Sequence, residues 1–219
     1  MKILYIYPIY SSTQKLIGQY FINDQKIMES KHEVRVCEFI YLIGILKGGH
    51  LIFFIKNVVQ LFRGIFWSDV TVSWFGKLHA FFAIIICKLM GKKSIIIVGG
   101  EEAANMTIDG KPYGLYSHPL KKWFVKFMLY FADEIVAVSE YNKKEIIENT
   151  GTGPKKIKLI YHGFDSNYYR KLPDVEKKNI VVTVGNINRE NYLRKGLKIF
   201  VESAAFLPKV QFFLVGAPQ

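Results

Sequence analysis

Residues 95–105 read "IIIVGGEEAAN", four β-branched residues that stop on two glycines and then two glutamates. The run shows no alternation of apolar and polar positions, so it reads as a strand buried on both faces, as strands of a parallel sheet are. Open α/β sheets keep their ligands at the carboxyl ends of such strands. Gly99 and Gly100 permit close backbone approach there, and nothing nearby in sequence gives Glu101 and Glu102 a packing role. The same letters also describe a turn followed by a helix whose first turn accepts acids. Both readings stay open, and the functional one is carried forward.

Outward from this strand, short apolar runs alternate with longer stretches of helical period. Strands are expected over 3–7, 33–39, 70–72, 94–98, 134–138 and 157–161, and helices over 13–30, 51–65, 78–90, 120–131 and 140–149. Gly91 closes one helix, Ser139 can cap the next, and "NTGTGP" (149–154) stops that one. The fold class is therefore α/β, a parallel sheet with helices on both faces. The last expected strand runs into "KIKLIYHGFDSNYY" (156–169), where Gly163 gives the chain room to turn and Asp165 can fold back on the local backbone. With His162 these residues read as a hinge. A polar stretch, "LPDVEKKN" (172–179), then leads to a strand over 180–184, a helix over 196–206 and a strand over 210–215. A single β-α-β of this size leaves sheet edges and a helix face unpaired, so it is not expected to stand as an independent domain. The expected organisation is one domain over 1–171, and a linker with an incomplete second domain over 172–219.

Composition bounds the function classes. Of 219 residues, 50% are hydrophobic and 15% aromatic, which excludes disorder. Cys37 and Cys87 sit in apolar runs without metal-ligand spacing and read as buried thiols of a cytoplasmic protein. "MKILYIYPIY" (1–10) has no small-residue cleavage site and reads as a first strand. The net charge of +12 is distributed, with twelve Lys/Arg against five Asp/Glu up to residue 100 and eighteen against thirteen after it. Such a surface attracts phosphates, whether of nucleic acid, anionic lipid or a nucleotide-linked substrate. Nucleic acid is the weakest of these, because no reader motif interleaves the lysines with stacking aromatics.

Four stretches carry candidate chemistry. Asp69 before a short strand and His79 on the next helix form a candidate acid/base pair, against a plain structural role for both. Glu101 and Glu102 are the second. The third is the loop "PYGLYSHP" (112–119) with the basic aromatic stretch "LKKWFVKFMLYF" (120–131), and with it "LIFFIKNVVQLFRGIFW" (51–67). Each reads either as a helix facing its own sheet or as one lying on a membrane surface on the cytoplasmic side. The fourth is "VVTVGNINRENYLRKGLKIF" (181–200), where a strand turns at Gly185 and Arg189, Arg194 and Lys195 precede a helix, a place for a phosphate. Neither a P-loop nor G-x-G-x-x-G occurs. Glu140 and Glu148 have an E-x7-E spacing but fall on an exposed, charge-laced helix, where the spacing is read as chance.

Taken in order, "GGEEA" (99–103), "YG" (113–114), "ADEIVAVSEYNKKEI" (132–146), "KIKLIYHGFDSNYY" (156–169) and "VGNINRENYLRKGLKIFVESAAFLPKVQFFLVG" (184–216) resemble the family-4 retaining glycosyltransferases of the GT-B fold. The resemblance implies two Rossmann-like domains facing a cleft, the first holding the acceptor and the second a nucleotide-diphosphate sugar. It implies no cofactor and no required metal. On the acceptor side it marks Gly99, Gly100, His79 and Tyr113. The residue near the transferred sugar falls at Glu101 or Glu102, without saying which. Lys195, with Arg194, Arg189 and Gly185, would hold the donor's diphosphate. His162, Gly163 and Asp165 would form the crossing between domains. Two departures stand out: Asn186 occupies the usual place of the partner arginine, and "YSSTQK" (10–15) replaces a glycine-rich loop. The family's own E-x7-E is expected beyond residue 219, so this chain by itself is expected not to turn over. The acceptor is expected to be a glycan or a lipid-linked molecule, given the basic aromatic helices, and the rival reading is a peripheral membrane-binding module.

Overall fold

A computed structural model describes residues 1–10, 18–41, 49–164, 166–167, 169–171, 173 and 175–216. Its strands are β1 (Lys2–Tyr10), β2 (Glu33–Tyr41), β3 (Val70–Trp74), β4 (Lys93–Val98), β5 (Met106–Ile108), β6 (Lys111–Tyr113), β7 (Glu134–Ala137), β8 (Ile157–Leu159), β9 (Ile180–Val184) and β10 (Gln211–Val215). Its helices are α1 (Gln19–Glu29), α2 (Gly49–Trp67), α3 (Leu78–Leu89), α4 (Pro119–Phe131), α5 (Glu140–Thr150), α6 (Arg189–Arg194) and α7 (Leu197–Ser203). Two compact units result, one of Met1–Asn105 with Gly114–Tyr168, the other of Met106–Tyr113 with Tyr169–Gln219.

In the first unit six parallel strands lie in the order β2-β1-β3-β4-β7-β8. The order reverses between β1 and β3, the switch point at which open sheets of this kind open a ligand crevice at their carboxyl edge. The apolar run that opened the sequence reading is β4, near the middle of the sheet. Ile96 and Val98 face α3, α4 and α5, while Ile95 and Ile97 face the side that α1 covers. On the α2 side, Leu4, Ile6 and Cys37 of the sheet meet Leu61 and Ile65 of α2 and Ala83 and Cys87 of α3. Burial pushes the Cys37 thiol up to about 12, so both cysteines are inert packing groups here.

β1 continues through Pro8, past the expected end at residue 7. Its pairing with β3 stops at Ile6, so beyond that point Pro8 has only β2 as neighbour and its missing N–H costs no second ladder. The expected helix over 13–30 is described from Gln19, and residues 11–17 lie outside the described residues.

In the second unit β9 and β10 pair in parallel and the hairpin β5–β6 joins them. Asp109 and Gly110 at its tip have φ of 51° and 74°, the pair of positive values that a two-residue I′ hairpin needs. The expected helix over 196–206 is present as α7 with a 3-10 turn over Ala204–Phe206, and a further helix that was not expected, α6, precedes it, its N-cap Asn188 side chain accepting from Asn191 N–H at 2.8 Å. Gly196, at φ 72°, makes the break between them. The strand faces stay largely exposed, as expected of so small a sheet.

Candidate functional site

At the carboxyl ends of β3 and β4, two short loops are braced against each other. After Trp74 the chain turns through Phe75, whose φ of 64° is unusual for a bulky residue. Phe75 N–H donates to Ile97 O at 2.9 Å, which ties the turn to β4. Its ring occupies the space above Gly99, where a Cβ would overlap the ring. Gly99 is thus glycine for the sake of Phe75.

Glu102 then locks the two loops together. It is 0% exposed. One carboxylate oxygen accepts from Gly76 N–H at 2.8 Å, the other from Gly100 N–H at 3.1 Å. Burial raises its pKa, opposed by the hydrogen bonds from its own backbone and Gly76. Glu101 points the other way. Its side chain is half-exposed and pairs with Lys77 Nζ at 3.1 Å, while its carbonyl accepts from Leu115 N–H at 2.8 Å. Residues 99–105 therefore form a turn rather than a helix. Of the two glutamates left open by the sequence, only Glu101 presents a carboxylate to solvent.

Of the two readings of Asp69 and His79, the plain structural one holds, and they do not form an acid/base pair. Asp69 precedes β3, at the amino end of the sheet, where it accepts from Lys2 N–H at 2.7 Å. His79 follows β3 at the opposite end and is fully buried. Its Nε2–H donates to Trp74 O at 2.6 Å, and Tyr41 OH donates to Nδ1 at 2.8 Å while accepting from His79 N–H at 3.0 Å. That network fixes the neutral ring, and burial lowers its pKa to about 4. His79 supports the floor of the edge and exposes no nitrogen to it.

Sequence reasoning missed an aromatic wall beside these loops. Trp74 packs with Tyr20, Phe21 and Phe75, and the ring of His162 stacks on it at 5.4 Å and 8°. Asp24 on α1 accepts from Trp74 Nε1–H at 2.9 Å, and its pKa is raised by burial despite that bond. Asn23 donates to Gly163 O at 3.4 Å, so the start of the expected hinge is held against α1. Asp165 lies outside the described residues. The residue letters offered only scattered aromatics here, because three separate segments supply them.

The phosphate candidates lie in the second unit. Arg189 and Arg194 precede α7 as expected, but they are themselves held in the short helix α6. Arg189 grips Asp109 through Nε at 2.7 Å and through a second nitrogen at 2.6 Å. Arg194 lies 4.8 Å over the ring of Tyr113, which the resemblance placed on the acceptor side and which belongs to the second unit. Lys195 is exposed at the end of α6. Gly185 ends β9, and a Cβ on Gly216 would overlap its carbonyl. Among the described residues no cluster of His, Cys, Asp or Glu could hold a metal, and no helix is long and apolar enough to cross a membrane.

Among solved structures, the chain is similar to UDP-GlcNAc 2-epimerase from Neisseria meningitidis bound to UDP-GlcNAc, at 15% identity and a TM-score of 0.52, over 98% of this chain and 65% of that one. MnaA of S. aureus in a co-structure with UDP is similar at 13% identity and a TM-score of 0.57, over 100% and 62%. The Methanocaldococcus jannaschii UDP-GlcNAc 2-epimerase is similar at 10% identity and a TM-score of 0.52, over 98% and 66%. The chain thus spans just under two thirds of the length of these enzymes, and the likeness is one of fold. No curated protein matches it. The profile of Glycosyltransferase Family 4 matches residues 28–168, the segment from the end of α1 through every strand of the sheet after β1, both braced loops and His162 and Gly163. With the GT-B-like architecture around it, this match establishes that the chain belongs to Glycosyltransferase Family 4.

Proposed function

We propose that the protein acts in transfer of a hexosyl group, with retention of configuration, from a nucleotide-diphosphate sugar to a glycan or lipid-linked acceptor, peripherally at a membrane. The observation that carries the reading is the division of labour between Glu101 and Glu102. Glu102 is spent on two backbone N–H groups, whereas Glu101 stands half-exposed at the carboxyl edge with Lys77 beside it. A carboxylate so placed can accept hydroxyl hydrogens of a sugar, and its geometry is fixed in advance by Glu102, Phe75 and Gly99. In the same unit Trp74 is buried under the stacked ring of His162 and so backs the edge without reaching solvent. Glu101 is the residue assigned to the reacting side, with Gly99 and Gly100 as backbone lining. On the donor side, Lys195 and Arg194 are assigned to the diphosphate, with Arg189 held in reserve by Asp109.

The test is transfer of radiolabelled sugar from a panel of nucleotide-diphosphate sugars into lipid and glycan fractions by cells expressing this chain joined to a donor-binding domain that carries an E-x7-E, the chain alone being expected to label nothing. Wild type should label one fraction, and Glu101→Gln should cut labelling at least tenfold while leaving the thermal melt unchanged. Labelling that survives Glu101→Gln would remove Glu101 from the site. Release of an epimerised sugar with no labelled product would overturn the transferase reading, and an inverted anomeric carbon in the product would overturn retention.

A further inference from the structure

We infer that the outer surface of α2, α3 and α4 is a docking face for an anionic lipid bilayer. The three helices pack side by side on one face of the six-stranded sheet. Phe54 meets Phe82 at 5.6 Å across the α2–α3 seam, and Phe81 meets Phe124 and Phe127 at 4.7 and 5.1 Å across the α3–α4 seam. Their inner residues fill the core, yet each outer helix carries a second apolar stripe turned to solvent. On α2 it is Ile55, Val59, Phe62 and Phe66, spaced four, three and four residues apart along one side of the helix. On α4 it is Leu120, Trp123 and Tyr130, spaced three and seven, with Leu120 88% and Trp123 65% exposed, while Phe127 between them is half-buried against Phe81. Aromatic residues concentrated in this way sit at the level where lipid headgroups meet acyl chains.

Charge selects the occupant. The sequences of α2, α3 and α4 contain no Asp or Glu at all, but Lys56, Arg63, Lys88, Lys121, Lys122 and Lys126. Among the described residues the other α-helices all carry acids, among them Asp24 and Glu29 in α1 and Glu140, Glu145 and Glu148 in α5. Some cations near the layer are already used internally. Lys92 caps the end of α2 by donating to the carbonyls of Ile65, Phe66 and Ser68, Lys156 does the same for Leu129 and Tyr130 of α4, and Lys88 pairs with Asp133. At the α2 end, Arg35, Lys56 and Arg63 line a groove of about 460 Å³ beside Ile55 and Val59, wide enough for a phosphate headgroup. A second copy of this chain is a poorer occupant, because a symmetric pairing would set two layers of net positive charge face to face. The docking is argued from the surface alone. Only its use, bringing a lipid-linked acceptor within reach, rests on the transferase reading.

Flotation with vesicles tests it without any sugar substrate. Phosphatidylcholine vesicles should leave the protein behind, and vesicles of equal parts phosphatidylcholine and phosphatidylglycerol should carry it upward at physiological salt. Each lysine near the surface changes partitioning by about fivefold, so Lys126→Gln on α4 should weaken it by roughly fivefold. Lys143→Gln with Lys144→Gln on α5 should leave it unchanged. Brominated lipid should quench tryptophan fluorescence of the wild type, and Trp123→Phe should abolish most of that quenching. No flotation with the anionic vesicles, equal losses in the α4 and α5 variants, or equal flotation with neutral vesicles would overturn the proposal. So would a dimer in sedimentation that persists in wild type and is lost in the α4 variant.

Discussion

Acidification from pH 7 to pH 5 should cost this fold about 2 kcal/mol through His79 alone. The ring is held neutral, with Nε2–H on Trp74 O and Nδ1 accepting from Tyr41, and burial takes its pKa from the ordinary 6.5 to about 4. The native state therefore binds this proton less readily than the unfolded chain. Stability from this group is complete above pH 6.5 and is lost as the pH falls toward 4. Linkage with those two values gives a loss of about 2 kcal/mol at pH 5 and about 3 kcal/mol at pH 4, relative to pH 7. In urea, that corresponds to a midpoint lower by about 1 M at pH 5. Other groups titrate in the same window, and Glu102 contributes with the opposite sign, since its raised carboxyl makes the fold less stable as pH rises. Comparison with His79→Gln cancels them, because the amide can still donate to Trp74 O and does not titrate. The pH-dependent gap between the two proteins is the His79 share. If wild type and His79→Gln lose equal stability between pH 7 and pH 5, the buried neutral imidazole is wrong. Should the variant fail to fold, the ring resonances of wild-type His79 must still resist protonation down to about pH 4.

Removing the Glu102 brace should orphan the buried N–H of Gly76 at about 1 to 3 kcal/mol and take the partner from the half-buried N–H of Gly100 at a smaller cost. Glu102→Ala should then lower stability by the sum of the two in urea titration and Glu102→Gln by less, because the amide oxygen keeps one bond; equal small effects would refute the brace. Gly99→Ala should cost about 1 to 3 kcal/mol by pushing on the Phe75 ring. In a Phe75→Gly background the same change should be close to neutral, and a coupling below about 0.5 kcal/mol in the double-mutant cycle would deny the contact. Asp109→Ala should change stability by less than about 1 kcal/mol, since its pair with Arg189 is solvent-exposed. If Arg189 serves the donor diphosphate, that variant should also bind UDP severalfold more tightly by calorimetry, and unchanged affinity would remove Arg189 from the donor site.

Much of this was legible in the residue order, and the failures share a cause. β4 could be read because four apolar residues in a row admit little but a buried strand, and the alternation around it dictated a parallel sheet. The hairpin β5–β6 escaped although its signal was present. "IDGK" (108–111) places Asp-Gly between two short runs, but each strand holds three residues and offers no periodicity. α6 escaped because its six residues are all polar except Leu193 and Tyr192, and its start is marked only by the Asn188 cap. At the candidate site, the sequence could name the Glu101–Glu102 pair but not divide it. The division depends on Gly76, which is 26 residues away and arrives only through the sheet. The same holds for His79, whose partners Tyr41 and Trp74 come from the ends of two strands that are not adjacent in the sheet.

The part of the edge least visible in sequence is Phe75, and its strain explains the rest. A bulky residue at φ 64° costs about 1 to 3 kcal/mol and persists only where its surroundings determine it. Here they do so from three sides. Phe75 N–H is bonded to Ile97 O, its ring packs against Phe21 and Trp74, and Gly99 leaves the space that the ring fills. What the strained turn accomplishes lies in the next two residues. It aims Gly76 N–H at Glu102 and puts Lys77 within 3.1 Å of Glu101. A relaxed turn would lose both at once, because the brace and the exposed ion pair hang from the same short segment. The "WFGK" of residues 74–77 and the "GGEE" of residues 99–102 are therefore one structural unit written in two places. Its one solvent-facing carboxylate, Glu101, is held in place by everything that the sequence could not show on its own.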